Sequence, residues 1–217
     1  ASNFLKYNYC KPTLDTTNTK SYLDCKDIRH PIIERIINCL YVTNDICMGK
    51  DTLDGMLLFG TNSCGKSSLM KAIGLCVIMA QAGLYVPCST LNLKPYTNIF
   101  SRIGNQDNIF TGKSSFTQEI SELKDIFNRV NENSLVIGDE PCSGTEHISA
   151  ISIVSSSIDY LAKKNCSFIF ATHLHKLNEI SLLKKLDNLE MYYLTIKYDE
   201  INDKLIYNKK LKKGLGN

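Results

Sequence analysis

Gly60-Thr61-Asn62-Ser63-Cys64-Gly65-Lys66-Ser67 satisfies every fixed position of the pattern G-x-x-x-x-G-K-[ST]. This pattern constrains folding tightly, because such a loop works only between a buried strand and a helix. Both flanks comply. Met56-Leu57-Leu58-Phe59 is a short apolar run of the kind that makes a strand buried on both faces. From Lys66 to Ala82 apolar residues recur at helical spacing, and Gly83 follows as a stop signal. Gly60 and Gly65 let the backbone turn tightly and aim its N–H groups inward. The helix N-terminus adds partial positive charge, which favours phosphate. In that frame Lys66 reaches the β- and γ-phosphates of a nucleotide, and Ser67 offers a hydroxyl to Mg²⁺. The candidate loop contacts are Gly60, Thr61, Asn62, Ser63, Cys64, Gly65, Lys66, Ser67 and Ser68. Cys64 sits beside a helix N-terminus that favours a thiolate, so bound nucleotide is expected to slow its alkylation.

Such a site needs an acid at the end of a neighbouring buried strand. Leu135-Val136-Ile137-Gly138-Asp139-Glu140 supplies two. Asp139 is the candidate for the Mg²⁺ shell, and Glu140 for polarising the attacking water. A third buried run, Phe168-Ile169-Phe170-Ala171, leads to Thr172-His173. A lone histidine is more often structural, but α/β sheets bind ligands at the carboxyl ends of their strands. His173 is therefore a candidate to hydrogen-bond the γ-phosphate, whereas nothing makes a similar case for His175. The three segments in this order predict an ATPase site of the ABC-like kind.

The remaining chain fits that frame. Buried strands alternating with helices predict an α/β fold, a P-loop NTPase whose mixed, partly parallel central sheet is flanked by helices. Helices are expected at Ile32–Leu40, Ser115–Val130 and Ile148–Ala162, and a strand at Ile99–Arg102. Tyr41-Val42-Thr43 is β-rich, and Asn44 to Asp54 reads as loop. Two β-rich pieces, Met191–Lys197 and Leu205–Tyr207, flank a polar turn at Asp199 to Asp203. A length of 217 residues suits one domain. Within it residues 1–50 read as a polar, β-rich lead-in, 51–180 as the P-loop core and 181–217 as a β-rich end. The net charge of +3 is too mild to imply a dedicated nucleic-acid module, and Lys209 to Lys213 read as solvated surface. Nine cysteines without a C-x-x-C pair argue against a disulfide scaffold or structural zinc, and for a reducing, intracellular compartment. No stretch approaches the ~18 apolar residues of a membrane span.

Taken together, these residues resemble one family, the ATPase domain of MutS-type DNA mismatch-repair proteins. Arg29-His30-Pro31 with Glu34 resembles the family's Arg-His-Pro motif, and Tyr41-Val42-Thr43-Asn44 resembles its adenine-stacking segment. Gly60-Thr61-Asn62 with Gly65-Lys66-Ser67 is similar to Gly-Pro-Asn-x-x-Gly-Lys-Ser. Gly83-Leu84-Tyr85-Val86-Pro87, Phe100-Ser101-Arg102-Ile103-Gly104 and Ser114-Ser115-Phe116 with Glu119 follow. Asp139-Glu140, Gly144-Thr145 and Thr172-His173 complete the ordered series. The chain departs from the family at Thr61, where proline is usual, and at Pro141 to Glu146, which lacks an arginine. The Cys142 to Glu146 run resembles divergent members from organelles and large DNA viruses.

The resemblance implies ATP and Mg²⁺ as cofactors, with Tyr41 stacking on adenine and Asn62 in the nucleotide site. It implies a composite site, in which Ser114 of a second MutS-type subunit, in a homodimer, approaches the γ-phosphate. It implies contact with mismatched double-stranded DNA through upstream mismatch-binding, connector, lever and clamp domains that lie outside this sequence, and no membrane partner. Two other readings remain. Asp139-Glu140-Pro141 also resembles ABC-type ATPases of transport or chromosome maintenance, although no Leu-Ser-Gly-Gly-Gln signature occurs. An ATP-gated dimerisation switch with negligible turnover would carry the same loop.

Overall fold

A computed structural model describes residues 6–61, 64–102, 115–142, 145–199 and 204–215. The first half contains β1 (Thr13–Leu14), β2 (Tyr22–Ile28), α1 (Ile33–Ile36), β3 (Asn44–Met48), β4 (Gly55–Phe59), α2 (Lys66–Gln81), β5 (Thr90–Lys94) and β6 (Asn98–Arg102). It is followed by α3 (Ser115–Arg129), β7 (Ser134–Asp139), α4 (His147–Lys163), β8 (Ser167–Thr172), a 3₁₀ turn (His175–Glu179), α5 (Ser181–Lys184), β9 (Leu189–Asp199) and β10 (Lys204–Lys213).

The fold is α/β. A six-stranded sheet runs β10-β9-β4-β8-β7-β6. Its strands from β9 to β6 pair in parallel, and β10 closes one edge antiparallel to β9. The strand β4 has helices on both sides, so its sequence is apolar throughout rather than alternating. Met56 and Leu58 face α2, among Leu69, Met70 and Ile73. Leu57 and Phe59 face α4, among Val154 and Ile158. Full burial of side chains of this size stabilises by about 1.5–3 kcal/mol each.

A second, four-stranded sheet, β1-β5-β2-β3, packs on the far side of α2. The helix α2 is thus a middle layer, with Cys76, Val77 and Ala80 wholly buried. This packing fixes the helix end that follows the glycine-rich loop. No described helix is long and apolar enough to cross a membrane.

Several expectations need correction. The helix expected over Ile32–Leu40 is one turn, Ile33–Ile36, and the chain turns extended at Ile37. Its isoleucines find no core to face, since Ile32 and Ile36 are exposed, and β-branched residues do not hold a solvated helix. The β structure expected at Tyr41–Thr43 begins at Asn44 instead, inside the segment expected to be loop. Asp45 is exposed and Cys47 half-buried, while Asn44, Ile46 and Met48 are buried, so no apolar run marks β3. The strand β5 likewise has no apolar run to mark it, because only Leu91 and Leu93 are buried. The strands β9 and β10 run well past the predicted pieces because each is held by its hairpin partner. Residues 200–203, in the expected turn, lie outside the described residues.

The one-turn α1 is secured by a side chain. His30, buried, accepts at Nδ1 from the Ile32 N–H (3.2 Å) and the Ile33 N–H (3.3 Å). Burial, aided by the Lys71 charge, holds its pKa below the ordinary value. Protonation at Nδ1 would break both bonds. The unfolded chain therefore takes up this proton first, at about pH 6.5. The stabilising contribution is complete above that pH and is lost as pH falls below it. In thermal melts between about pH 7.5 and 5.5, the native chain should lose more Tm than a His30→Asn variant. Equal losses would remove His30 from this role.

Candidate active site

Strand register brings the predicted segments to one level. Phe59 at the end of β4 pairs with Thr172 of β8, and Ala171 pairs with Asp139 of β7. The strand leading to His173 therefore lies between the strand of the glycine-rich loop and that of the acid pair. After Phe59 the chain turns through the loop into α2, whose N-cap Gly65 has φ +106°. That backbone suits glycine alone. At Gly60 a Cβ would lie 2.7 Å from the Cys64 Sγ, so the loop's closure also demands glycine there.

Lys66 is 5% exposed and folds back over the loop. Its Nζ donates to the Gly60 carbonyl at 2.7 Å and the Thr61 carbonyl at 3.1 Å. It lies 3.5 Å from Glu140 Oε1. Glu140 takes a left-handed backbone, φ +48°, while its N–H donates to the Ala171 carbonyl at 2.9 Å. His173 Nδ1 is 3.8 Å from the same Glu140 oxygen. Lys66, Glu140 and His173 thus converge on one carboxylate oxygen. Thr172 is buried, and its Oγ1 accepts from the Leu174 N–H at 3.0 Å, which turns the chain after β8.

Asp139, at the end of β7, and Ser67, in the first turn of α2, are both partly buried. A carboxylate and a hydroxyl are hard oxygen donors that suit Mg²⁺, which keeps several waters and takes phosphate oxygens for the rest. Among the described residues no three His, Cys, Asp or Glu side chains gather as an all-protein metal cage. Asn62, Ser63 and Ser114, also expected at the site, lie outside the described residues, as does Gly144.

Tyr41 lines a cavity of about 300 Å³ with Ile33, Ile37, Leu40, Gly65 and Ser68. Its phenol pKa is raised by burial, against a hydrogen bond from the His30 main chain. Lys209 is on the same wall and is exposed, in keeping with its reading as solvated surface. The strand β10 breaks register between Tyr207 and Leu211, and Lys209 sits there at φ +55°. Asn44 clamps this bulge: its Nδ2 donates to the Lys209 carbonyl (3.0 Å) and its Oδ1 accepts from the Leu211 N–H (2.7 Å). A bulge re-aims side chains, and here it lays the Lys209 stem against Gly65. No local pattern in the sequence signals this. His175 stacks on Phe59 at 5.7 Å and borders, with Gly60, Thr61, Lys212 and Lys213, a further cavity of about 710 Å³.

Cys64 corrects another expectation. It is 1% exposed, in the core cluster with Leu69 and Met70, so burial closes the thiol to reagents. Cys39, by contrast, is exposed on the rim of the Tyr41 cavity. Iodoacetamide should label Cys39 in the native chain and reach Cys64 only in denaturant, as peptide mapping would show. Equal rates at the two would mean that the loop opens readily.

These features define an α/β chain in which a glycine-rich loop, a buried lysine and an acid pair meet at parallel strand ends. Comparison with known proteins places it further. The family model described as MutS domain V matches residues 56–217. A mutS homologue of Acanthamoeba polyphaga mimivirus, named as a putative DNA mismatch repair protein, is 40% identical over 97% of this chain and 22% of its own length. The mitochondrial DNA mismatch repair protein mutS homologue of Sarcophyton glaucum is 36% identical over 98% of this chain and 21% of its own length. The DNA mismatch repair protein MutS of Finegoldia magna is 36% identical over 95% of this chain and 24% of its own. The chain belongs to the MutS family. It spans about a quarter or less of the length of these curated relatives.

Proposed function

We propose that this chain is a P-loop, ABC-like ATPase module that binds and hydrolyses Mg-ATP, and that the hydrolysis drives conformational switching in a DNA mismatch-recognition protein. The observation that carries the proposal is the convergence of Lys66 and His173 on one Glu140 oxygen, at 3.5 and 3.8 Å. A buried ammonium beside a glycine-rich helix N-terminus is an anion site. Its present partners, two carbonyls and a carboxylate, are ones that phosphate oxygens replace.

Each residue then has a defined task. The loop amides and Lys66 hold the β- and γ-phosphates and offset the charge that develops as the γ-phosphoryl group leaves. Asp139 and Ser67 would hold Mg²⁺, which supplies further charge neutralisation at the phosphates. Glu140 orients the attacking water and accepts its proton. His173 hydrogen-bonds the γ-phosphate and neighbours Glu140, so it is placed to register whether that phosphate is present. Tyr41 stacks on the adenine, worth roughly 0.5–1.5 kcal/mol for an aromatic pair.

The relatives are named for DNA mismatch repair. We extend that role to the protein of which this chain is the ATPase module, with DNA held by domains outside it. Family membership also supports pairing with a second such subunit, whose Ser114 would complete the site. Membership in the MutS family, with no Leu-Ser-Gly-Gly-Gln sequence present, favours this reading over an ABC transporter subunit.

The test separates binding from turnover. Glu140→Gln should keep Mg-ATP affinity and lose turnover by about 10²-fold or more, since the general base alone is removed. Lys66→Met, which preserves the buried stem, should instead weaken nucleotide binding about tenfold or more, equivalent to ~1.4 kcal/mol. Wild-type turnover in the Glu140 variant would remove it from catalysis. A native chain that binds Mg-ATP without turnover would make it a binding switch.

A further inference from the structure

The loop after β7 holds two residues with side chains in the left-handed region, Glu140 at φ +48° and Cys142 at φ +62°. Such backbone persists only where its surroundings hold it. For Glu140 the restraint is the bond from its N–H to the Ala171 carbonyl. For Cys142 it is a side chain distant in sequence: the Cys142 N–H donates to Glu119 Oε1 at 2.5 Å.

Glu119 is an unusual residue for that place. It sits in the second turn of α3 and is 3% exposed. Elsewhere the inner face of α3 is apolar, with Leu123 and Ile126 buried in the α4-side core beside Val130, just past the helix end. A carboxylate there needs a charged or donating partner to offset its lost hydration. Arg102, at the end of β6, supplies the charge: its Nε lies 3.0 Å from the same Oε1. Arg102 is itself shared with Glu122. The helix α3, the strand β6 and the loop carrying Glu140 are thus joined at one oxygen atom. A helix that needed only to adhere to the sheet would do so with apolar side chains.

We infer that Glu119 is a positioning residue: by holding the Cys142 N–H, it sets the turn that aims the Glu140 carboxylate at Lys66 and His173. It touches none of the reacting groups. This inference rests on the hydrolytic reading of Glu140, and it places control of that carboxylate in α3. Misplacement of a catalytic group by about 1 Å can cost up to 10²-fold in rate. Nucleotide binding depends on the loop and Lys66, which Glu119 does not contact among the described hydrogen bonds and ion pairs.

The test uses Glu119→Ala and Glu119→Gln, with three readouts: turnover, Mg-ATP affinity and hydrogen exchange at the Cys142 amide. The alanine variant should lose turnover about tenfold or more with affinity changed less than about twofold, a loss confined to kcat. Its Cys142 amide should exchange about tenfold faster or more, because the acceptor is gone. The glutamine variant keeps a carbonyl acceptor and should restore both to within about threefold of the native chain. A Glu119→Ala chain with native turnover and native Cys142 protection overturns the inference. So does affinity that falls in step with turnover, or a glutamine variant as impaired as alanine, which would make the ion pair with Arg102 the whole contribution. Absence of turnover in the native chain would instead sink the hydrolytic reading, while amide exchange would still decide whether Glu119 holds the loop.

Discussion

The ammonium of Lys66 is buried, and a buried charge must be compensated. Much of the molecule is arranged to do so. The parallel strands β4, β8 and β7 end at one level and deliver two carbonyls and Glu140 to the ammonium. The helix α2 carries Lys66 at its first residue and is gripped between two sheets, which fixes where the lysine stem starts. The arrangement holds a positive charge ready for an anion, at the helix end where the backbone also favours one.

The second sheet serves the same site at a distance. Its strand β3 begins at Asn44, which clamps the β10 bulge and so lays Lys209 beside Gly65. Just before β3, His30 pins α1, whose neighbour Tyr41 walls the cavity next to Ser68. Arg29 and Glu34 pair at 3.0 Å, and Arg29 also donates to the Asn8 carbonyl, tying the segment before β1 to this region. The Arg29-His30-Pro31 segment therefore acts through architecture: it shapes the cavity wall by holding α1.

What could be read from the sequence follows from what each residue's role depends on. The strands β4, β7 and β8 are buried on both faces, so their apolar runs announce them, and the loop and acid pair follow at fixed offsets. Lys66, Glu140 and His173 were legible for that reason. The strands β3 and β5 expose alternate polar residues and lack such a run. Lys209 enters the cavity wall only because a bulge turns it, and Glu119 reaches the Glu140 loop only through tertiary packing. Neither role is set by neighbours in sequence. The burial of Cys64 is likewise invisible in sequence, because the core beneath the helix N-terminus is assembled by distant residues.

Under the proposed function, the anion that Lys66 receives is the triphosphate of a nucleotide. A crystal structure of the chain with Mg²⁺ and a non-hydrolysable ATP analogue tests it most directly. Lys66 Nζ should leave the Gly60 and Thr61 carbonyls for the β- and γ-phosphate oxygens. Glu140, released, should then face the γ-phosphate, with the adenine in the cavity walled by Tyr41. A nucleotide seated elsewhere, or an intact Lys66–Glu140 contact beside a bound triphosphate, would contradict it.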